Sequence, residues 1–374
     1  MDISHSLEVS PKQAALFGRL TQLIEAAHEI VICAHTNPDG DALGSTLGLL
    51  KLLQWRWPSK QITGLLADPK PIPRIYEFLP GSKSLVCAAD YHRTPDLFIS
   101  VDLSVPSRMN DGEAVLKRSH HCAIIDHHPC SDPFAEVSLI RTDAAAAAVP
   151  ILEYALYLGM PIDAEISLCL LCAIITDTGR FQYQNTNSEA LAATALLVDA
   201  GASPSEVSLN VYQNFRLEFL HLKAAVMSRI VTFAHGRIAY SYATKADLER
   251  TGANLDEADG LVDVVRSVSG SEVALFLKEV PGGQIRGNLR SKTNLDISGV
   301  ARSFGGGGHA AASGFSYDGD IDEVLSLALP RLRALFPDDV AFGGTTSFPR
   351  INICLLYTSP SPRDLSTSRM PSSA

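Results

Sequence analysis

Short apolar runs that end in acidic residues recur through the first half of the chain. Ile30-Val31-Ile32-Cys33-Ala34 leads into His35-Thr36-Asn37-Pro38-Asp39-Gly40-Asp41. Leu97 to Val101 delivers Asp102, and Cys122 to Ile125 delivers Asp126-His127-His128. Apolar runs this short, closed by polar turns, predict buried strands. Gln61 to Leu66 predicts another. Between them lie segments with apolar positions at helical spacing: Pro11 to His28, Ala42 to Leu50, and the end of a helix at Ala114 to Arg118. Pro69 to Pro80 carries four prolines and predicts a loop or a broken short helix. Strands alternating with helices predict an α/β fold, a mainly parallel sheet flanked by helices.

Helical spacing continues through Ala144 to Gly159, where Pro150 either kinks the helix or marks its true start. Ile162 to Ile175 is strongly apolar and ends at Thr176-Asp177-Thr178-Gly179. Its Cys169 and Cys172 have apolar flanks and no second pair, which reads as buried helix packing. Asn187 to Gly201, Ser203 to Tyr212 and Leu217 to Met227 predict further helices. After that, strands and turns dominate: Ile230 to Phe233, a turn at His235-Gly236, Ile238 to Tyr242, and a hairpin from Val273 to Arg290 turning at Pro281-Gly282-Gly283. A short helix at Asp296 to Ser303, the run Gly305–Gly308 with His309, and an amphipathic helix from Ile321 to Phe336 complete the pattern. The expected organisation is a first domain at 11–185, a helical connector at 186–228 and a smaller α/β domain at 229–340. Residues 355–374 hold six Ser and three Pro with no hydrophobic period, and read as a disordered or non-native tail.

Charge narrows the functions open to this fold. The net charge of −10 argues against binding long duplex nucleic acid, which calls for a basic surface. A small phosphate substrate stays open, because bound metal ions supply local positive charge. No apolar run is long enough to span a membrane. The polar start of the chain lacks a signal-peptide pattern, and most of the seven Cys sit in apolar runs, so a reduced, cytoplasmic protein is expected. The apolar helices near 144–175 offer a surface for a homodimer.

The acidic turns carry the chemistry. His35, Asp39 and Asp41, then Asp102, then Asp126, His127 and His128, then Asp177 all follow apolar segments. Carboxylates gathered at one sheet edge repel unless cations neutralise them. Asp and His suit Mn²⁺, Mg²⁺ or Zn²⁺. Two ions about 3.5–4 Å apart are the usual apparatus for phosphate-ester hydrolysis, so two divalent ions are expected, with Mn²⁺ and Mg²⁺ both open. Gly305–Gly308 reads as a backbone nest for an anion, with Gly306, Gly307, Gly308 and His309 as contacts, or as a flexible loop. Arg290 and Ser291 precede it as phosphate-binding candidates, and Arg108 is a weaker one.

Asn37-Pro38-Asp39-Gly40-Asp41, Asp102, Asp126-His127-His128 and Thr176-Asp177-Thr178-Gly179 resemble the motif series of the DHH phosphoesterase superfamily. Gly305–His309 with Ala312-Ser313-Gly314-Phe315 resembles the glycine-rich motif of the DHH-associated C-terminal domain. The two-domain layout is similar to the branch of oligoribonucleases that also act as 3′-phosphoadenosine 5′-phosphate phosphatases. The resemblance implies one metal on His35, Asp39 and Asp102 and a second on Asp41, Asp102, His127 and Asp177, with Asp102 bridging. It implies Asp126 as the orienter of the histidine pair and His128 as the residue facing the scissile phosphate. Arg290, Ser291 and His309 would hold the rest of the substrate. Short RNA oligonucleotides and adenosine bisphosphate are the implied substrates. The alternatives are a cyclic-di-AMP or linear-dinucleotide phosphodiesterase with the same metals, and a nucleotide-binding regulator without catalysis. Thr142-Asp143-Ala144-Ala145-Ala146 departs from the hydroxyl-rich helix start of such relatives.

Overall fold

The computed structural model describes residue 7 and residues 9–69, 71–308 and 310–336. His309 and the 355–374 tail lie outside these residues. The chain divides into two compact units, with the division between Asn214 and Phe215.

The first unit is built from α1 (Pro11–Ala26), β1 (Glu29–Cys33), α2 (Gly40–Arg56), β2 (Gln61–Leu66), β3 (Val86–Cys87), β4 (Leu97–Val101), α3 (Asp111–Arg118), β5 (His121–Asp126), β6 (Val137–Ile140), α4 (Ala148–Tyr157), α5 (Ala164–Asp177), α6 (Ser188–Asp199) and α7 (Pro204–Tyr212). Its six strands are all parallel, in the order β3-β2-β1-β4-β5-β6. Strands buried on both faces need continuous apolar runs, which is why Leu97–Val101 carries no exposed residue. The strand order reverses between β1 and β4. Ligand sites of open parallel sheets lie at such a switch point, beyond the carboxyl ends of the strands. Here β1, β4 and β5 end side by side, and the acidic turns follow those ends.

Several local features differ from the sequence reading. Asp39, besides being a candidate ligand, caps α2, accepting the Ala42 N–H at 3.0 Å. Helix α4 starts only at Ala148, so Pro150 falls in its first turn, where no N–H is needed. The strands β3 and β6 were not anticipated. Most apolar residues of α4 and α5 pack in the unit's own core, among them Ile151, Leu152, Leu170 and Ile174, whereas Leu156 and Tyr157 of α4 are exposed. Cys169 and Cys172 are fully buried there, and burial pushes the Cys169 thiol up to about 12. The segment 186–228 is shared between units. Ala193, Leu197 and Val207 pack into the first core, whereas Phe219, Leu222 and Val226 pack into the second.

The second unit runs through α8 (Leu217–Ser228), β7 (Val231–Phe233), β8 (Ile238–Ala243), α9 (Lys245–Thr251), α10 (Leu261–Arg266), β9 (Val273–Glu279), β10 (Gln284–Ser291), α11 (Ser298–Arg302), β11 (Gly307–Gly308), β12 (Ala312–Asp318) and α12 (Ile321–Arg333). Its sheet has the order β11-β12-β10-β9-β8-β7 and is antiparallel except between β8 and β9. One face packs Leu275, Leu289 and Phe315 against Val324 and Leu329 of α12. The other packs Ala274 and Phe276 against Leu222 of α8 and Val262 of α10. No helix among the described residues is long and apolar enough to cross a membrane.

Candidate metal centre

Three strand ends and two helix ends supply the site. His35 follows β1, Asp102 follows β4, and Asp126 closes β5 with His127 and His128 after it. Asp41 lies in the first turn of α2 and Asp177 closes α5. Helix α2 lies close to α5 because Gly40, Gly44 and Gly48 face it. A Cβ on Gly44 would stand 2.3 Å from the Cys169 carbonyl oxygen, and one on Gly40 would stand 2.3 Å from Thr176 Oγ1. The glycine stripe therefore sets the approach of Asp41 to Asp177.

Asp102 sits at the middle of the cluster. Its Oδ2 is 3.4 Å from His35 Nε2, and its Oδ1 is 3.4 Å from His127 Nε2 and 3.3 Å from His128 Nδ1. His35 Nε2 is also 3.8 Å from Asp39 Oδ1. His127 Nε2 is 3.6 Å from Asp41 Oδ2 and 3.6 Å from Asp177 Oδ2. Three groups of ligand atoms result: His35, Asp39 and Asp102; Asp41, His127 and Asp177; and Asp102, His127 and His128. His35 Nδ1 lies 2.8 Å from the Thr36 carbonyl oxygen, and His127 Nδ1 lies 3.2 Å from that of Ala144. Each neutral ring therefore keeps its proton on Nδ1 and turns the Nε2 lone pair toward the carboxylates. Asp126 Oδ1 accepts the peptide N–H groups of His127 and His128 at 2.7 and 3.1 Å, and His128 Nδ1 at 2.8 Å.

Electrostatics and hydrogen bonding both fit a cation here. Burial alone would lower the imidazoles. Close contact with Asp102 and the charge of the nearby carboxylates more than offset it, raising His35 and His127 to about 9 and His128 to about 10. Burial would raise Asp102, yet the imidazoles of His127, His128 and His35, each within 3.4 Å, hold it well below the usual carboxylate range. Burial, with Asp102 adding, pushes Asp41 up. Burial, then Asp39 and Asp102, push Asp177 up to about 7 against the pull of His127. Protons thus do what cations would do. Asp102 Oδ1 and Asp126 Oδ2 are buried without a hydrogen-bond partner. Carboxylate oxygens and imidazole nitrogens form a donor set for Mn²⁺, Mg²⁺ or Zn²⁺, and an unmatched buried oxygen at the hub is what an ion satisfies. The residues fit a metal.

The other candidates are placed as follows. Arg108 is exposed on a short turn after β4, and its carbonyl accepts the Thr36 N–H at 2.9 Å, tying it to the His35 loop. Arg290 is half-buried on β10, donating to the Leu289 carbonyl at 3.0 Å. The Ser291 hydroxyl is spent on its own turn, donating to the Thr293 carbonyl at 2.9 Å. The glycine run is not a continuous nest. Gly305 and Gly306 donate their N–H groups to the Arg302 and Ala301 carbonyls, ending α11, so Gly306 is not an anion donor. Gly307 and Gly308 are exposed and form β11 beside β12. Gly308 is required sterically, since a Cβ there would stand 2.6 Å from the Ala312 carbonyl oxygen.

Two supporting residues were missed. Ser45 donates to Asp41 Oδ1 at 2.6 Å from one helical turn away, a spacing visible in the sequence. Asp68 accepts from the Asn37 N–H at 2.7 Å and from Asn110 Nδ2 at 3.1 Å, bracing the motif turn. It too follows an apolar strand, β2, which was the available signal.

Comparison with known proteins agrees with this geometry. Residues 29–174 match the DHH family N-terminal domain, and residues 235–334 match the DHHA1 domain. The bifunctional oligoribonuclease and PAP phosphatase NrnA of Thermus thermophilus is 29% identical over 306 residues, covering 81% of this chain and 89% of that protein. An exopolyphosphatase-related protein from Bacteroides fragilis shares the fold with a TM-score of 0.79 at 24% identity, over 86% of this chain and 97% of that one. Exonuclease RecJ bound to manganese shares it with a TM-score of 0.51 at 14% identity, over 89% and 97%. With both matched domains in order and the motif residues gathered at one sheet edge, the chain belongs to the DHH family, a DHH N-terminal domain followed by a DHHA1 domain.

Proposed function

We propose that this chain is a metal-dependent phosphoester hydrolase that cleaves short oligoribonucleotides to nucleoside monophosphates and 3′-phosphoadenosine 5′-phosphate to AMP and phosphate. The observation that carries the reading is Asp102, a buried carboxylate within 3.4 Å of three imidazoles and with an oxygen lacking any hydrogen bond. The naming of the Thermus thermophilus relative supports the substrate class.

His35, Asp39 and Asp102 would hold one divalent ion, and Asp41, Asp102, His127 and Asp177 a second, Mn²⁺ before Mg²⁺. Such ions supply Lewis acidity, stabilising charge on the phosphoryl oxygens and making water nucleophilic at neutral pH. The protein's own groups do the rest. Asp126 fixes the backbone of the histidine pair and the His128 ring. His128, oriented through Nδ1 by Asp126 at 2.8 Å, faces the scissile phosphate and gives a proton to the leaving oxygen. Arg290 and the exposed Gly307–Gly308 backbone bind the nucleotide, with Arg108 as a further cation near the His35 loop.

The test is a panel of di-, tri- and pentaribonucleotides, adenosine bisphosphate and cyclic di-AMP, each incubated with Mn²⁺. Mononucleotides from the short RNAs and AMP from the bisphosphate are expected, with loss of turnover in EDTA and in Asp102→Asn. Turnover confined to cyclic di-AMP, or retained in Asp102→Asn, would refute the reading.

A further inference from the structure

Asp41, His127 and Asp177 come from three elements, α2, the end of β5 and the end of α5. They share one neighbour, the buried turn of four alanines at 144–147 that leads into α4. The Ala147 N–H donates to Asp41 Oδ2 at 2.7 Å. The Ala144 carbonyl faces His127 Nδ1 at 3.2 Å. Asp177 has no direct bond to this turn; Asn185 makes the link. Its Nδ2 donates to the Ala145 carbonyl at 3.0 Å and to the Asp177 carbonyl at 3.0 Å, and stands 3.4 Å from Asp177 Oδ2.

The orientation of that amide is fixed by its surroundings. Three oxygens face Nδ2, so the flipped amide would set Oδ1 against three acceptors. In the orientation present, Oδ1 is buried with no partner. An unmatched buried acceptor costs about 1–3 kcal/mol. An apolar residue would fill the same space without that cost, so packing alone does not account for Asn185.

We infer that Asn185 is a positioning residue: it ties the carboxylate end of α5 to the 144–147 turn and sets Asp177 against Asp41 and His127 before any ion arrives. Residues that orient metal ligands typically change metal affinity by about 10- to 100-fold when removed. The turn acts through main-chain groups, so its alanines need no side-chain chemistry. This inference rests on the metal reading given above.

The experiment is a Mn²⁺ titration of the full-length protein without substrate, followed by the EPR signal of free Mn²⁺. Wild type is compared with Asn185→Ala and Asn185→Asp, and each metal-free protein is also unfolded in urea. Wild type is expected to take up two ions. Both variants should keep one at wild-type affinity and hold the second about 10- to 100-fold more weakly. Asn185→Asp preserves shape but sets an acceptor before three oxygens, so it should lose at least as much as Asn185→Ala; a space-filling role predicts that it loses nothing. Variants whose isotherms match wild type, or an Asn185→Asp protein that binds more tightly, overturn the inference alone. A wild-type protein that takes up no Mn²⁺ overturns the metal reading and this inference with it.

Discussion

Replacing Gly44 by Ala adds one methyl group where α2 meets α5. In an ordinary helix the change would stabilise, by about 1 kcal/mol, because Gly is the poorer helix former. Here the new carbon would stand 2.3 Å from the Cys169 carbonyl oxygen and 3.1 Å from both the nitrogen and Cβ of Ala173. Those are mostly backbone atoms inside a helix and cannot rotate away, so the helices must part by about 1 Å to restore ordinary contact. Overpacking of this kind costs about 1–3 kcal/mol. After the helix-propensity gain, the net loss is about 0–2 kcal/mol, or up to roughly 8 °C in Tm for a unit of this size. The functional loss should be larger. Asp41 rides on α2 and Asp177 on α5, and both stand 3.6 Å from His127 Nε2. Metal sites tolerate about 0.2 Å in ligand distance, and a 1 Å misplacement costs about 100-fold in rate. Gly48→Ala is the comparator. Its Cβ would meet side-chain atoms of Leu170, Cδ2 at 2.6 Å and Cγ at 2.9 Å, rather than backbone. It should be within about 1 kcal/mol of wild type and retain activity. Urea unfolding in EDTA, Mn²⁺ titration and dinucleotide hydrolysis measure the three quantities. A Gly44→Ala protein with wild-type Mn²⁺ binding and turnover, or a Gly48→Ala protein equally impaired, would show that the close helix approach does not set the site.

Four further outcomes are expected. Asp126→Ala frees the two histidine N–H groups and the His128 ring, and should weaken Mn²⁺ binding about 10- to 100-fold by titration calorimetry; unchanged affinity counts against an orienting role. Arg290→Ala should raise KM for dinucleotides at least about tenfold, as expected for losing one charge-assisted contact of about 1.5–3 kcal/mol, with kcat nearly unchanged; a pure kcat defect contradicts a binding role. Phe98→Ala empties a fully buried position on β4 and should cost about 3–5 kcal/mol in urea unfolding; a loss under 1 kcal/mol would mean the core collapses around it. Asp247 in the second unit is buried, which alone would raise its carboxyl, but hydrogen bonds from Arg229, Thr244 and Arg250 hold it below the usual range. A depressed folded pKa means stability that is present above the unfolded value, about 3.9, and lost as pH falls through the folded one. Asp247→Asn should therefore cost about 2 kcal/mol at pH 7, with the gap to wild type shrinking steadily below about pH 4; a gap constant down to pH 2 would exclude the linkage.

The parallel sheet was legible because its strands are buried on both faces, and Ile30–Cys33, Leu97–Val101 and Cys122–Ile125 therefore appear as bare apolar runs. The candidate ligands were legible for a related reason: each run stops at a charged side chain. Strand β12 was not, since Ala312, Ser313 and Gly314 have no hydrophobic alternation and take their conformation from pairing with β10. Gly305 and Gly306 show the opposite failure. A glycine run reads alike whether its N–H groups face an anion or close a helix, and only the partners, Arg302 and Ala301, decide. The alanine turn at 144–147 was read as a departure from a hydroxyl-rich pattern. Its contribution is made by peptide groups, which every residue has and which therefore leave no mark on a sequence.

Asp102 adopts a left-handed backbone conformation, with φ of 55°. Gly takes this conformation freely, and Asn and Asp tolerate it better than other residues. The position is thus filtered twice, once by backbone geometry and once by the need for a carboxylate. Under mutational drift the two filters act separately. Codon changes from Asp to Asn or Gly keep the geometry and abolish the carboxylate, so the fold survives while the chemistry goes. Changes to Ala, Val or Tyr damage both. A lineage of this chain released from selection for hydrolysis should therefore accumulate Asn or Gly at 102 first, and leave behind a folded, silent protein rather than an unstable one.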